Sequence, residues 1–211
     1  MRRAALGHLA VAFALALSAA VAKADPSFHC QKAQSVSEKE VCRVPELQWF
    51  DRQLARLYAQ VKGKDPHVIA DQRVFLVERE RCGTTLECLE KVYGDRLKAL
   101  GPLADMGDAV GEFAPTQFGG SMWIVRFGTT AGVSILSVGG GGSTCVFETD
   151  DASQNGKGFL TWNGRAMQGD AQVCRLVVAP NGEDMDVQTK NSCQSFCGMR
   201  AVMDGFYKRV K

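Results

Sequence analysis

The sequence predicts an α+β chain of two domains, a disulfide-tied helical hairpin followed by a small antiparallel β-barrel or sandwich. Three observations carry this expectation. Residues 25–101 repeat apolar side chains at helical spacing. Residues 121–211 break into short β-branched runs separated by Asn-Gly and Asp-Gly turns. The eight cysteines divide four and four between those halves, which reads as a disulfide framework in an oxidising compartment.

The chain opens with Met1-Arg2-Arg3, an apolar run from Ala4 to Ala22, and the small-x-small site Ala22-Lys23-Ala24. A basic start, an apolar stretch and such a site predict a signal peptide over residues 1–24 and a periplasmic or secreted mature protein. A membrane anchor is the competing reading, because the run is long enough to span a bilayer. Its alanine content and the cleavage pattern favour removal. No later segment is apolar and long enough to cross, so no span is expected in the mature form. Losing Arg2, Arg3 and Lys23 takes the formal net charge from +2 to −1. The mature part has no basic stripe, so nucleic acid is not an expected partner.

In the helical domain, residues 25–101, Ser35 and Glu38 make a capping box. Pro45 suits a first helical position, where its missing N–H costs nothing. Leu47, Phe50, Leu54, Leu57, Tyr58 and Val61 then form one apolar stripe. Asp65-Pro66 repeats the start signal for a helix running to Arg81 that buries Ile69, Gln72, Phe75 and Leu76. A last helix after Cys88 carries Leu89, Val92, Tyr93, Leu97 and Leu100 and stops at Gly101-Pro102. Gly94 weakens it by roughly 1 kcal/mol relative to alanine.

An antiparallel hairpin turning near Asp65 sets Asp51 opposite Arg79, predicting a partly buried ion pair. The same geometry brings Cys82 near Cys42 and leaves Cys30 for Cys88. Cys42–Cys82 and Cys30–Cys88 are therefore favoured among the three pairings that four cysteines allow. Zinc is disfavoured, because there is no Cys-x-x-Cys and the mature chain holds only His29 and His67. No cofactor is expected.

This half resembles the N-terminal domain of the LprI-type lysozyme-inhibitor family. The residues that carry the resemblance begin with Cys30-x-x-Ala33, Glu38-x-x-Val41-Cys42 and Pro45-Glu46-Leu47, with Asp51, Leu54 and Tyr58. They continue with Gln72-x-x-Phe75, Arg79-x-x-Cys82 and Cys88-Leu89-x-x-x-Tyr93-x-x-Arg96-Leu97-x-x-Leu100. Two positions depart from the family pattern: Val44 stands where an acidic residue is usual, and Phe75 where tryptophan is frequent. The resemblance implies a protein that binds and inhibits lysozyme or a related peptidoglycan hydrolase, a cationic partner. Most matched residues are cysteines, apolar positions or ion-pair candidates, so they speak first for the fold.

Residues 102–120 hold Pro102, Pro115 and several glycines without helical period, and read as a linker. Beyond it, strands are expected at 122–127, 133–138, 144–149, 159–162, 172–179, 185–189 and 200–209. Asn155-Gly156, Asn163-Gly164, Asn181-Gly182 and Asp204-Gly205 supply turns. Cys145–Cys174 and Cys193–Cys197 are the favoured bridges, with Cys145 to Cys193 or Cys197 as the rival.

The run Gly139-Gly140-Gly141-Gly142-Ser143-Thr144 is not a phosphate loop, which needs a following lysine and a helix. It reads as a hairpin turn or, with Gly140, Gly142 and Ser143 exposed, as a loop that enters a partner's cleft. Other lysozyme-inhibitor families insert a Ser/Gly loop in this way. Two acidic turns, Glu148, Asp150 and Asp151, then Glu183, Asp184 and Asp186, would steer a cationic partner, or serve only as solvated turns. No histidine follows residue 101 to act as a base beside a nucleophile, and the cysteines are better placed in disulfides. The expected role is non-enzymatic, either hydrolase inhibition or contact with other envelope components. Immunity against a cell-wall toxin is a weaker variant.

Overall fold

A computed structural model describes residues 25–105, 108–165 and 173–211. The expected signal peptide lies outside the described residues. Helices α1 (Val36–Arg43), α2 (Pro45–Val61), α3 (His67–Cys82) and α4 (Leu86–Leu100) come first. The first three start where a side chain satisfies a free N–H group or where proline removes one. Ser35 Oγ accepts the Glu38 N–H at 3.1 Å while the Glu38 carboxylate accepts the Ser35 N–H. Pro45 opens α2, and Asp65 accepts the His67 N–H ahead of α3.

The helices do not form the expected hairpin. α2 packs chiefly against α4, and α3 chiefly against α4 and α1. Tyr93 of α4 stands between Phe50 of α2 and Phe75 of α3, with ring centroids 6.3 and 5.2 Å away. The expected Asp51–Arg79 pair is therefore not made. Asp51 accepts the Tyr93 hydroxyl at 2.9 Å and the Ser27 N–H at 2.7 Å, while Arg79 pairs with Glu80 at 2.8 Å and Glu38 at 3.5 Å. Burial, reinforced by the Asp51 charge, raises the Tyr93 phenol well above its ordinary pKa.

The same misplacement corrects the cysteine pairing. The bridges are local, Cys30–Cys42 and Cys82–Cys88, not Cys30–Cys88 and Cys42–Cys82. The first ties the segment before α1 to that helix, and the second closes the turn between α3 and α4. On α3, Val68, Phe75, Arg79 and Cys82 are buried, while Ile69 and Leu76, expected inside, face solvent.

The expected linker is largely structured. A 3-10 turn (Gly101–Leu103) leads to β1 (Val110–Pro115). Then come β2 (Gly119–Phe127), β3 (Thr130–Val138), β4 (Thr144–Gln154), β5 (Leu160–Gly164), β6 (Cys174–Asn181), β7 (Asp184–Lys190) and β8 (Gly205–Arg209). Each strand pairs antiparallel with the next and β8 closes on β1, so of the two expected β architectures the chain adopts a barrel. Side chains fill the interior, among them Phe113, Met122, Ile124, Ile135, Phe147, Leu176 and Tyr207, as an eight-stranded barrel permits.

The helices cover one wall of this barrel. Along β2, Met122 and Ile124 point inward, while Trp123 and Val125 join the helical core with Trp49, Phe50 and Leu97. Gly94 of α4 sits against Trp123, where an added Cβ would lie 2.7 Å from the indole ring. The glycine that weakens the helix is what allows the two layers to meet.

Four disulfides among the described residues fit an oxidising environment outside the cytoplasm. Among the described residues no helix is long and apolar enough to cross a membrane.

Candidate functional site

The up-and-down strand order sorts the turns between two ends of the barrel. The β3–β4 and β7–β8 connections share one end with the β1–β2 turn. The β2–β3, β4–β5 and β6–β7 turns share the other.

At the first end, β3 and β4 stay paired up to Val138 and Thr144, and residues 139–143 form the tip. The Gly139 N–H donates to the Ser143 carbonyl at 2.8 Å. Gly141 and Gly142 adopt φ of 80° and 79°, the left-handed region that glycine enters at no steric cost. No atom comes within 4 Å of where a side chain at Gly140, Gly141 or Gly142 would begin. The predicted loop is thus an exposed tip on a fixed base.

That base is fixed by the segment between β7 and β8. Among the described residues β4 and β5 pair only at Ser153–Thr161 and Gln154–Leu160, leaving the loop-end half of their seam open. Residues 191–204 fill in there. Cys197 bridges across to Cys145, the Gly198 N–H donates to the Thr144 carbonyl at 2.7 Å, and Ser137 Oγ donates to the Val202 carbonyl at 2.6 Å. Phe196 packs against Phe147 and Trp162, at 5.2 and 5.8 Å between centroids.

Two disulfides, Cys145–Cys197 and Cys174–Cys193, staple this segment on either side of the seam. They replace the favoured pairs Cys145–Cys174 and Cys193–Cys197 and agree with the rival in which Cys145 meets Cys197. The reason is topological: β5 stands between β4 and β6, so Cys145 and Cys174 are not neighbours. Met199 is 80% exposed and Val202, Val138 and Val146 are also exposed, giving the tip an apolar surround.

The two acidic clusters do not join this loop. Asp150 and Asp151 both lie opposite Gly132, a β-bulge where the register shifts between Ala131 and Val133. A bulge re-aims a side chain, and here Asp150 turns toward α2. Its carboxylate accepts from Arg52 at 2.8 Å and from Gln53 at 2.5 Å, and its carbonyl accepts from Arg56 at 2.8 Å. Trp49 Nε1 donates to the neighbouring Thr149 carbonyl at 3.0 Å. Asp150 therefore locks the helices to the barrel. Asp151 is exposed and accepts from Thr149 Oγ1 at 2.6 Å.

Glu183, Asp184 and Asp186 lie at the opposite end of the barrel from the glycine loop. There the Arg209 N–H donates to Asp184 at 2.9 Å, and Gln188 donates to Asp186 at 3.1 Å. One rigid partner cleft cannot close over the glycine tip and this turn together.

The helix–barrel junction holds a further group absent from the sequence reading. Glu46, Glu87, Glu90 and Trp123 line a cleft of about 350 Å³. Burial, then the charges of Glu90 and Glu148, pushes Glu46 up to about 7. Burial, then Glu87, raises Glu90. Lys98 bonds Glu112 at 2.5 Å and lies over the Trp123 ring at 5.3 Å, so the indole is covered and offers no open stacking face. Only the fold brings α2, α4 and β4 carboxylates together, so no spacing in the sequence announces them. Comparisons of the chain with protein-family models, with curated proteins and with solved structures gave no match.

Proposed function

We propose that the mature chain is a non-enzymatic periplasmic protein that inhibits lysozyme or a related peptidoglycan hydrolase by occluding its active-site cleft. The glycine tip is the inserting element. The observation that carries this reading is the contrast at one end of the barrel: an unobstructed Gly140–Gly142 tip rises from a base clamped by Cys145–Cys197. A narrow tip without side chains fits a cleft built for an extended glycan. A clamped base limits the conformational entropy lost on insertion. Ser143 offers a hydroxyl beside the tip, and Met199 and Val202 supply apolar contact around it. The resemblance of residues 25–101 to the LprI-type family and the eight disulfide cysteines agree with this role. With Asp150 engaged by α2 and the 183–186 turn at the far end, general electrostatic attraction rests on the net charge of −1 left once residues 1–24 are removed.

The test is a turbidity assay with c-, g- and i-type lysozymes, using the mature protein and a variant lacking Gly140–Gly142. Inhibition of at least one enzyme, lost in the shortened variant with its thermal stability retained, is the expected result. No inhibition and no binding across all three would sink the proposal.

A second reading, contact with another envelope protein through the helices, is favoured by α3. Its outer face leaves Ile69, Val74, Leu76 and Val77 exposed. Capture of an envelope protein that is not a hydrolase, abolished by Val74→Lys with Val77→Lys, would select it.

A further inference from the structure

The end of the barrel opposite the glycine tip holds a cleft of about 590 Å³, lined by Arg126, Arg209, Lys211, Asp108, Glu183 and Met185 among others. Three cations face two carboxylates there. Their pairing is uneven. Arg209 donates to the Asp108 carboxylate at 2.7 Å and to the Glu183 carbonyl at 3.4 Å, and stacks on Phe113 at 5.1 Å. Arg126, half-buried at the end of β2, is treated differently. Among the described residues its guanidinium donates only to the Asp108 carbonyl, at 3.3 Å, and it makes no ion pair.

A guanidinium carries five N–H donors in a fork that matches two oxygens of one anion. Withdrawing it from water without an anion is unfavourable. Burial lowers the Arg126 pKa; the nearby Asp108 charge opposes that shift and the Arg209 charge adds to it. A guanidinium held beside Arg209, with one hydrogen bond among the described residues and a cleft in front of it, has the form of an oxyanion receptor.

We propose that this cleft binds an oxyanion, a carboxylate or phosphate group, on the Arg126 fork with Arg209 and Lys211 supplying further positive charge. The site does not depend on the glycine loop, which is at the other end of the barrel. Its ligand could be a free anion or an anionic group on a larger envelope molecule, and the recognition chemistry is the same.

The experiment uses the full mature chain in thermal unfolding and calorimetric titration, with sodium phosphate, sodium acetate and sodium chloride at matched ionic strength. A saturable rise in Tm with phosphate or acetate but not with chloride is expected, and the more effective salt identifies the anion class. Arg126→Gln should abolish the rise. In buffer without oxyanion that variant should unfold no earlier than the wild type, because among the described residues it removes one long hydrogen bond and no ion pair. Arg126→Lys keeps the charge but loses the fork, and should bind about tenfold more weakly. The variant lacking Gly140–Gly142 should bind as the wild type does, so failure of the inhibitor reading would leave this result standing. An equal response to chloride, or an unchanged rise in Arg126→Gln, would overturn the proposal.

Discussion

The helical layer and the barrel use the same covalent device on different scales. In the helices, Cys30–Cys42 and Cys82–Cys88 span 12 and 6 residues, the first tying the leading segment to α1 and the second closing the α3–α4 turn. In the barrel, Cys145–Cys197 and Cys174–Cys193 span 52 and 19 residues and fasten a crossing segment over an unpaired seam. The difference teaches what each half lacks. The helices already pack around Tyr93 and need only their turns held. The barrel has a gap in its hydrogen bonding, and a long-range link closes it where the exposed tip begins.

The largest effect is expected from breaking that link. Replacing Cys145 and Cys197 by alanine should cost about 4 kcal/mol in the chain-entropy description, against about 2 kcal/mol for the Cys82 and Cys88 pair. Urea unfolding of both double variants measures the difference. Equal losses would mean that the two halves are not framed differently.

The next effect concerns the junction. The unfolded chain releases the Glu46 proton near 4.5 and the folded chain only near 7. The contribution of this group is therefore fully present below 4.5 and is lost as the pH rises through 7, by up to about 3 kcal/mol. Glu46→Gln should flatten this part of the pH dependence, measured by urea midpoints at acid and mildly alkaline pH. Gly94→Ala drives a methyl into Trp123. The clash should outweigh the gain in helix propensity and destabilise by about 1–2 kcal/mol, with a change in tryptophan fluorescence. The smallest loss of stability is expected at the tip. Gly142→Ala strains a left-handed residue by about 1 kcal/mol and should lower the Tm by only a few degrees. Its effect should appear in partner binding.

Much of this architecture was legible in the residues. The Ser35–Glu38 box, Pro45 and Asp65-Pro66 marked helix starts correctly because their signals are local. Asn155-Gly156 and Asn181-Gly182 mark turns, whereas Asn163-Gly164 lies within β5 and Gly205 begins β8. β1 was hidden because Phe113 is its only large inward side chain and it lies among glycines and prolines. The pairings failed for a tertiary reason. Tyr93 and its helix intervene between α2 and α3, as β5 does between Cys145 and Cys174. For the candidate site, the glycine tip could be read from composition, but its surround could not, since Met199 and Val202 come from a segment sixty residues later. Asp150 was misassigned because an acidic residue in a turn-like run gives no sign that a bulge will aim it at Arg52.

One clue was present and unused. Met122-Trp123-Ile124-Val125 is apolar at every position, the signature of a strand covered on both faces. If residues 102–211 were expressed alone, that stretch would place an indole and a valine in water with nothing above them. Such a fragment would tend to clump or recruit a substitute cover. The two halves are therefore best regarded as a single heritable unit, and shuffling either into another polypeptide would require the seam to travel with it.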